Sequence, residues 1–273
     1  MCAVRVATVF GPLRKSLRGA YTHTEMKKVI LITGGGRGIG AATARLAARR
    51  DYIVCISYRS NSEAAEIVKR DIVDAGGAAF AFAEDVSRED SVVKLFEEVD
   101  WSCGRIDALV NNAGILEKQM RVDQMTAGRL QRVLGTNVIG SFLCCREAIR
   151  RMSTAHGGHG GAIVNLSSAA SRLGSPNEYV DYAAAKAAID TLTIGLAKEV
   201  ASEGIRVNAV RPGLIYTDIH ASGGEPGRVE RLSHTIPLGR GGTAEEVAST
   251  IMWLLSDEAS YVTGSIVDVT GGR

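Results

Sequence analysis

The chain has 273 residues, 45% of them hydrophobic and 23% charged, a length and composition that suit one large α/β domain. Its 32 Lys and Arg residues nearly balance 30 Asp and Glu residues, and a formal net charge of +2 gives no reason to expect a nucleic acid or a membrane surface as a partner. No apolar run reaches the roughly 18 residues of a membrane-spanning helix, so we expect a soluble protein.

Residues 1–25 differ in composition from the rest of the chain. They contain four Arg and Lys residues and no acidic residue before Glu25, a composition reminiscent of an organellar transit peptide. Alternatively, Met26 is the natural start, because MKKVILITGGG leads directly into a predicted strand, and residues 1–25 are an upstream in-frame extension. Under either interpretation we expect no chemistry from this segment and a single domain over residues 26–273.

Seven short apolar runs, rich in β-branched residues, predict strands, and helical patterns lie between them. The strands are predicted at 28–33, 52–57, 78–85, 106–114, 161–168, 205–213 and 265–272. The helices are predicted at 39–50, 61–75, 88–102, 126–151, 178–203 and 243–256. Strands that are apolar on both faces and alternate with helices indicate a parallel sheet covered on both sides. The sequence therefore predicts a doubly wound α/β fold with a seven-stranded parallel sheet.

The first predicted strand is followed by GGGRGIG, in which Gly34, Gly38 and Gly40 open the next helix. Glycines permit a tight turn and let the backbone approach a pyrophosphate, whose charge is met by N–H groups at the helix N-terminus. A Gly-rich turn without a ligand would explain an isolated match. The strand before it and the helix after it favour dinucleotide binding.

The end of the second predicted strand, SYRSN, bears on the choice of dinucleotide. It lacks the acidic residue that would bind the free 2′-hydroxyl of NAD(H). Arg59 is placed to meet a 2′-phosphate, and Arg37 in the glycine turn adds a second candidate cation. Either arginine alone would equally suit a solvated surface position, but in the absence of the acid the pair favours NADP(H) as the cofactor.

The predicted helix 178–203 begins with two tyrosines and one lysine among alanines. Tyr182 and Lys186 are four residues apart and lie one turn above the other on the same face, whereas Tyr179 has Ala183 at that spacing. A nearby ammonium stabilises a phenolate and lowers the pKa of the tyrosine. The pair is a candidate acid/base unit, and the alternative is a chance pair on a surface helix.

The cysteines and histidines indicate no metal site. The five cysteines show neither a C-x-x-C motif nor zinc-ligand spacing, so we expect reduced thiols and a cytoplasmic protein. His156 and His159 lie in a Gly-rich connection with no carboxylate or thiol nearby, and we interpret this connection as a loop. Residues 218–235, which contain three glycines, are predicted to form a mobile lid.

Taken together, the motifs resemble those of the short-chain dehydrogenase/reductase family from Lys27 to Gly272. They recur in the family's order: Thr33 with GGGRGIG, DV at 85–86, NNAG at 111–114, Asn137 in GTNVIGSF, NLSS at 165–168, YAAAK at 182–186, RPG at 211–213 with Thr217, and a terminal YVTGSIVDVTGG. The chain is most similar to the glucose-dehydrogenase-like and 3-oxoacyl-carrier-protein-reductase-like branch. The resemblance implies a single-domain Rossmann-like fold and a homotetramer or homodimer.

The resemblance also implies catalytic roles. It makes Tyr182 the general acid/base and Lys186 the residue that binds the nicotinamide ribose and lowers the tyrosine pKa. It implies that Ser168 hydrogen-bonds the substrate oxygen and that Asn137 holds a water linking Lys186 to solvent. Ser167 remains an alternative to Ser168, because the serine-to-tyrosine spacing is slightly longer than usual and only one of two adjacent strand side chains faces the site.

The remaining family matches imply the wall of the cofactor site. Those expected at the adenine and its ribose are Asp85, Val86, Asn111 and Gly114. Those expected at the carboxamide are Ile215 and Thr217, after a turn at Pro212 and Gly213. Further cofactor contacts are expected from Ile39, Tyr58, Ser60 and Ala113.

The sequence thus predicts an NADP(H)-dependent oxidoreductase that interconverts a carbonyl and a secondary alcohol on a small-molecule substrate. Within the same class, the alternative is reduction of a 3-oxoacyl thioester. From a different class, a dinucleotide sensor or scaffold without turnover is the alternative. The Ser-Tyr-Lys-Asn set argues against the sensor, because a sensor needs only the cofactor site.

Overall fold

A computed structural model describes residues 27–273, so the predicted extension 1–25 lies outside the described residues. The strands are β1 (Val29–Ile32), β2 (Ile53–Tyr58), β3 (Ala78–Ala83), β4 (Ala108–Asn111), β5 (Gly161–Leu166), β6 (Ile205–Pro212) and β7 (Ile266–Val269). The helices are α1 (Gly38–Arg49), α2 (Ser62–Asp74), α3 (Glu89–Cys103), α4 (Ala127–Leu134), α5 (Gly140–Met152), α6 (Ala170–Leu173), α7 (Val180–Val200), α8 (Ile219–Ser222), α9 (Arg228–Leu232) and α10 (Ala244–Leu255). Within this range, no helix is long and apolar enough to cross a membrane.

All seven strands pair in parallel in one sheet of order β3-β2-β1-β4-β5-β6-β7, which confirms the predicted fold class. The order reverses between β1 and β4, where Ile32 pairs with Ile56 of β2 on one side and with Val110 of β4 on the other. In open parallel sheets such a reversal creates a crevice at the carboxyl ends of the strands. This crevice positions the site described below.

The alternation of side chains along β1 explains why the sheet is covered on both faces. Ile30 and Ile32 point into a core formed with α1, α2 and α10. Val29 and Leu31 point into a second core formed with α3, α5 and α7. Because all four side chains are buried, helices on either side are needed to exclude water from them.

The structure differs from the sequence-based expectation in the long helix predicted at 126–151. A π-helical turn over Gly135–Ile139 separates α4 from α5. At the start of α5, a Cβ on Gly140 would lie 2.8 Å from the carbonyl oxygen of Val86, so the helix approaches that backbone too closely for a side chain. The turn carries Asn137, which is buried and accepts a hydrogen bond from the backbone N–H of Ile115 in the segment after β4.

We expect Gly40→Ala to lower the free energy of unfolding by about 1 to 3 kcal/mol, because overpacking forces the backbone to move. The new Cβ would lie 2.6 Å from the Gly34 carbonyl oxygen and 2.5 Å from Asn112 Nδ2. Gly128→Ala is the matched control, since Gly128 also lies in the first turn of a helix and its Cβ would meet only the Arg132 Nη1 at 3.5 Å. Urea-induced unfolding measures both. Equal effects would contradict this account.

Candidate active site

Two adjoining cavities lie at the carboxyl ends of the strands. The first cavity, about 500 Å³, is lined by the glycine turn after β1, the end of β2 and residues 84–86. The second cavity, about 490 Å³, is lined by the ends of β5 and β6 and the start of α7. Both are lined by Ile39, Asn112, Gly114, Leu116, Thr217 and Ile219. A ligand that extends along the carboxyl ends of the strands can therefore occupy both cavities.

Thr33 and Asn112 join β1 to β4 where the two cavities meet. The Thr33 hydroxyl oxygen accepts hydrogen bonds from the backbone N–H groups of Asn112 at 3.1 Å and Ala113 at 3.0 Å. In return, the Asn112 side-chain amide donates to the carbonyl oxygens of Thr33 at 2.8 Å and Gly34 at 2.9 Å. These bonds fix the glycine turn against residues 112–114. Gly34 has a φ of 64°, a conformation that favours glycine.

The part of the first cavity at the N-terminus of α1 and the end of β2 suits an anion. No acidic residue lies in the first turn of α1, and no side chain caps its N-terminus. The N–H groups of that turn therefore remain for a phosphate. Arg37 and Arg59 both line the cavity, and neither has an ion pair with another described residue. The chemistry of this part of the cavity fits the pyrophosphate of a dinucleotide.

Most of the residues expected at the cofactor line one of the two cavities. Those in the first cavity are Gly34, Arg37, Gly38, Ile39, Tyr58, Arg59, Ser60, Asp85, Val86, Ala113, Gly114 and Thr217. Those in the second cavity include Tyr182, Lys186, Pro212, Gly213 and Ile215. Gly40 lies behind the turn, packed against Asn112 and Gly34.

The side chain of Asn111, a residue expected at the adenosine ribose, lies in the core. Asn111 lies outside both cavities, and its side-chain amide donates to Asn165 Oδ1 at 2.9 Å and to Cys145 Sγ at 3.2 Å in the core. Asn112 lines the cavities instead. Adjacent residues at a strand end point to different sides, which explains why the two asparagines of NNAG have different surroundings.

The second cavity distinguishes the two candidate serines. The Ser167 side chain is buried and donates a hydrogen bond to the Lys186 carbonyl oxygen at 3.1 Å. The Ser168 hydroxyl accepts a hydrogen bond from the N–H of Ala170 at 3.1 Å and also bonds the Tyr182 side chain. Ser168 is therefore the serine whose hydroxyl lies beside Tyr182.

The electrostatics of Tyr182 and Lys186 differ from expectation. Burial raises the pKa of Tyr182 to about 12, although the hydrogen bond with Ser168 acts to lower it. Burial lowers the pKa of Lys186 to about 8, and the nearby carboxylate of Asp190 opposes this shift. Lys186 Nζ donates to the Leu166 carbonyl oxygen at 2.6 Å and lies 5.6 Å from the centre of the Tyr182 ring. Burial, and not the Lys186 ammonium, is thus the main influence on the pKa of Tyr182.

Asn137 lies close to Lys186 across Gly114. Its Oδ1 accepts from the Ile115 N–H at 2.7 Å, and its Nδ2 donates to the Ile115 carbonyl oxygen at 2.9 Å. A Cβ on Gly114 would lie 3.4 Å from Asn137 Oδ1 and 3.7 Å from Lys186 Nζ. A glycine at this position leaves the space between the two side chains open.

Tyr179 forms part of the wall of the second cavity and is bonded to the predicted lid. Its buried hydroxyl donates to the Gly223 carbonyl oxygen at 3.1 Å. The guanidinium of Arg228 lies 5.3 Å from the centre of its ring and pairs with Glu178 and Glu225. Residues 218–235 contain α8 and α9, and these contacts connect them to the start of α7.

A buried ion pair next to Tyr182 was not expected from the sequence. Arg129 Nε lies 2.7 Å from Asp181 Oδ2, and both side chains are at most 4% exposed. Arg129 also donates to the Lys118 carbonyl oxygen, and Asp181 Oδ1 accepts the backbone N–H of Tyr182 at 2.9 Å. The pair thus holds α4, the segment after β4 and the first turn of α7 together. The only sequence signal is a charged residue on each helix.

No metal site is evident in the described part of the chain, where no group of three or more His, Cys, Asp and Glu side chains is arranged to bind an ion.

Comparison with known proteins adds evidence from sequence and fold. A family model described as "Enoyl-(Acyl carrier protein) reductase" matches residues 34–273. The "Uncharacterized oxidoreductase YgfF" of Escherichia coli (strain K12) is 60% identical over 245 residues, which are 90% of this chain and 99% of the relative. The 3beta-hydroxysteroid dehydrogenase 1 of Eggerthella lenta is 41% identical, with 90% of this chain and 93% of the relative covered. The crystal structure of 3-ketoacyl-(acyl-carrier-protein) reductase from Brucella melitensis complexed with NADH superposes with a TM-score of 0.83 at 33% identity, covering 90% and 98% of the two chains.

We expect Arg129→Met to lower the free energy of unfolding by about 3 to 5 kcal/mol, because it leaves a buried, unpaired carboxylate at Asp181. The double variant Arg129→Met/Asp181→Leu should lose much less, since it removes both charges. Arg88→Met is the control, because the Arg88–Asp90 pair is exposed and should contribute little. Urea-induced unfolding tests the series. A double variant as unstable as the single one would show that the charge is not the cause.

Proposed function

Because the chain belongs to the short-chain dehydrogenase/reductase family of oxidoreductases, we propose that it interconverts a carbonyl and a secondary alcohol with NADP(H). The observation that carries this proposal is the meeting of Ser168, Tyr182 and Lys186 at the second cavity, which adjoins the first cavity with its arginines and glycine turn. The bound nicotinamide cofactor would supply or accept the hydride. The side chains of the second cavity would then donate or accept the proton.

We assign the proton transfer to Tyr182. With a pKa of about 12 its hydroxyl is protonated near neutral pH, and it can donate to the oxygen of a bound carbonyl. Ser168, bonded to the same hydroxyl, can donate a hydrogen bond to that oxygen as negative charge develops there. In the oxidative direction Tyr182 first releases its own proton past Lys186, and the phenolate then receives the proton from the alcohol.

Lys186 and Asn137 complete the proposed catalytic set. A pKa of about 8 lets Lys186 gain and lose a proton within the range where enzymes work. Asn137 and Lys186 flank the space beside Gly114, where a bridging water would connect the lysine to the segment after β4. The proposed path for protons therefore runs from Tyr182 past Lys186 toward Asn137.

The preference for NADP(H) rests on two arginines of the first cavity. Arg37 and Arg59 line it without ion-pair partners among the described residues, so they are free to bind a 2′-phosphate. Tyr58 and Ser60 line it on either side of Arg59, and neither is the acid that would bind a free 2′-hydroxyl. NAD(H) is the alternative, since the Brucella melitensis relative was solved with NADH.

The substrate class has two candidates. Free ketones, sugars and related alcohols fit the general proposal, and the relative from Eggerthella lenta is named as a hydroxysteroid dehydrogenase. A 3-oxoacyl thioester is the second candidate, because the relative from Brucella melitensis is named as a 3-ketoacyl-(acyl-carrier-protein) reductase. Assays of a panel of ketones, sugars and 3-oxoacyl thioesters, followed by NADPH fluorescence, separate them. Cofactor binding without turnover on the whole panel would favour the sensor.

We also propose that the protein assembles as a homotetramer or homodimer. The apolar side chains of Phe142 on α5 and Ile194 on α7 are 50% and 42% exposed, and Ile139 before α5 is 52% exposed. Large exposed apolar groups on neighbouring helices are typical of a subunit interface. Sedimentation equilibrium of the full chain measures the assembly.

We expect Tyr182→Phe to reduce kcat by at least about 10²-fold while leaving the Kd for NADPH nearly unchanged, because it removes a proton donor and no cofactor contact of the first cavity. Tyr179→Phe is the matched control. It removes a hydroxyl that bonds Gly223, so it should change KM more than kcat. Steady-state kinetics and a fluorescence titration give the two quantities. Equal turnover in Tyr182→Phe and wild type, or a collapse of kcat in Tyr179→Phe, would exclude the assignment.

We expect Arg59→Ala to weaken NADP(H) binding by about ten- to a hundredfold, since a hydrogen bond to a charged group contributes about 1.5 to 3 kcal/mol. NAD(H) binding should not change, because NAD(H) has no 2′-phosphate. Tyr58→Asp combined with Arg59→Ala should move the preference toward NAD(H). Arg49→Ala serves as control, because Arg49 is exposed and lies outside both cavities. Comparable kcat/KM for the two cofactors in the wild type would show that Arg59 is only a solvated charge.

A further inference from the structure

Two thiols outside both cavities are in contact. Cys55 Sγ lies 3.6 Å from Cys103 Sγ, and neither thiol is in a disulfide. Cys55 is fully buried in the middle of β2, whereas Cys103 is the last residue of α3 and is partly exposed. A disulfide bond is about 2.05 Å long, so the two sulfurs need to approach by about 1.5 Å.

The surroundings allow Cys103 to make this approach. Cys55 is fixed by the sheet, in which it pairs with Leu31 of β1 and with Phe80 of β3. Cys103 is followed by Gly104, which ends α3 in a left-handed conformation and has open space where a Cβ would lie. A small movement at the end of this helix is therefore sufficient, and the strand stays in place.

The two thiols also differ in reactivity. The hydrogen bond from Cys55 lowers the pKa of Cys103, and the same bond together with burial raises the pKa of Cys55. The thiolate is the reactive form of cysteine, so Cys103 is the thiol that reacts first with an oxidant. Burial raises the pKa of Cys145 to about 12 and that of Cys144 still further, which makes both of them inert by comparison.

We propose that Cys55 and Cys103 form an oxidation site, at which a peroxide converts Cys103 to a sulfenic acid and Cys55 closes the disulfide. In the first step the Cys103 thiolate attacks a peroxide oxygen and the O–O bond breaks. With hydrogen peroxide the leaving hydroxide takes up the proton that the Cys103 thiol had released, so one water is formed. In the second step the Cys55 sulfur attacks the Cys103 sulfur, the S–O bond breaks, and a second water leaves with the Cys55 proton. The two thiols lose two electrons, and the peroxide is reduced to two waters.

The disulfide has two consequences for the protein. It joins positions 48 residues apart and encloses α2, β3 and α3, which restricts the unfolded chain and stabilises the native state. It also prevents the sulfenic acid of Cys103 from advancing to the irreversible sulfinic acid. Cys55 thus acts as the resolving thiol of a site that is independent of the proposed carbonyl chemistry.

The experiment uses the full chain with Cys2→Ser, since Cys2 lies outside the described residues and would otherwise add a fifth thiol. The protein is treated with hydrogen peroxide, its free thiols are alkylated, and its peptides are identified by mass spectrometry without reductant. We expect a peptide that links Cys55 to Cys103, its loss on treatment with dithiothreitol, and a Tm higher by roughly 5 °C or more in the oxidised protein. Cys144 and Cys145 should remain thiols.

The variant Cys55→Ala supplies the matched comparison. Without the resolving thiol, Cys103 should accumulate as sulfinic acid, and peroxide should no longer raise the Tm. A wild-type Cys103 that reaches the sulfinic acid while Cys55 remains a thiol would overturn the proposal. Linkage of Cys103 to Cys144 or Cys145 would overturn it as well. Both of these outcomes are measured on the protein that retains Cys55 and Cys103, so they test the proposal even if Cys55→Ala fails to fold.

Discussion

The hydrogen bonds between Thr33 and Asn112 are the interaction on which the candidate site depends. β1 and β4 are neighbours in the sheet but are separated by two whole strands and three helices in the sequence. Where they end, the Thr33 hydroxyl accepts two N–H groups from the β4 side, and the Asn112 amide donates to two carbonyls of the β1 side. The distance between the glycine turn and residues 112–114 is thereby fixed. Because residues of these two segments line the cavities, this distance sets the shape of the site.

The segment after β4 is held in place from two other directions. Asn137 bonds both backbone groups of Ile115, and Arg129 bonds the carbonyl oxygen of Lys118. Arg129 is in turn paired with Asp181, whose other bond is to the backbone at the start of α7. Asn137, which we assign to water binding, and Arg129, which fixes the first turn of α7 through Asp181, therefore both hold residues 115–118 in place. A disturbance at either end should be transmitted to the second cavity.

The sequence predicted the sheet because its strands are apolar on both faces, and it predicted the glycine turn because only glycine suits so close an approach. It named Asn111 at the adenosine ribose and did not identify Asn112 as a cavity residue, because the direction of each side chain depends on the residue at which the strand ends. Asn137 was identified by its motif, whereas the π-helical turn that carries it follows from packing against a distant backbone. Arg129 and Asp181 were missed because their pairing joins residues 52 positions apart. Neither shows a periodic pattern that distinguishes it from a surface charge.

The burial of Lys186 has a thermodynamic cost that bears on its role. Its pKa of about 8 in the folded protein lies below the value of 10.5 expected for an exposed lysine. Below about pH 8 the lysine is charged in both states, and the folded state carries the whole penalty of burying that charge. As the pH rises from about 8 to 10.5 the unfolded state holds the extra proton, so the free energy of unfolding increases through that range.

The partners that offset the penalty of burying Lys186 are the Leu166 carbonyl oxygen and the carboxylate of Asp190. An apolar side chain of similar length would avoid the penalty and fill the same space. A lysine at this position is therefore better explained by the chemistry of the second cavity than by the stability of the fold.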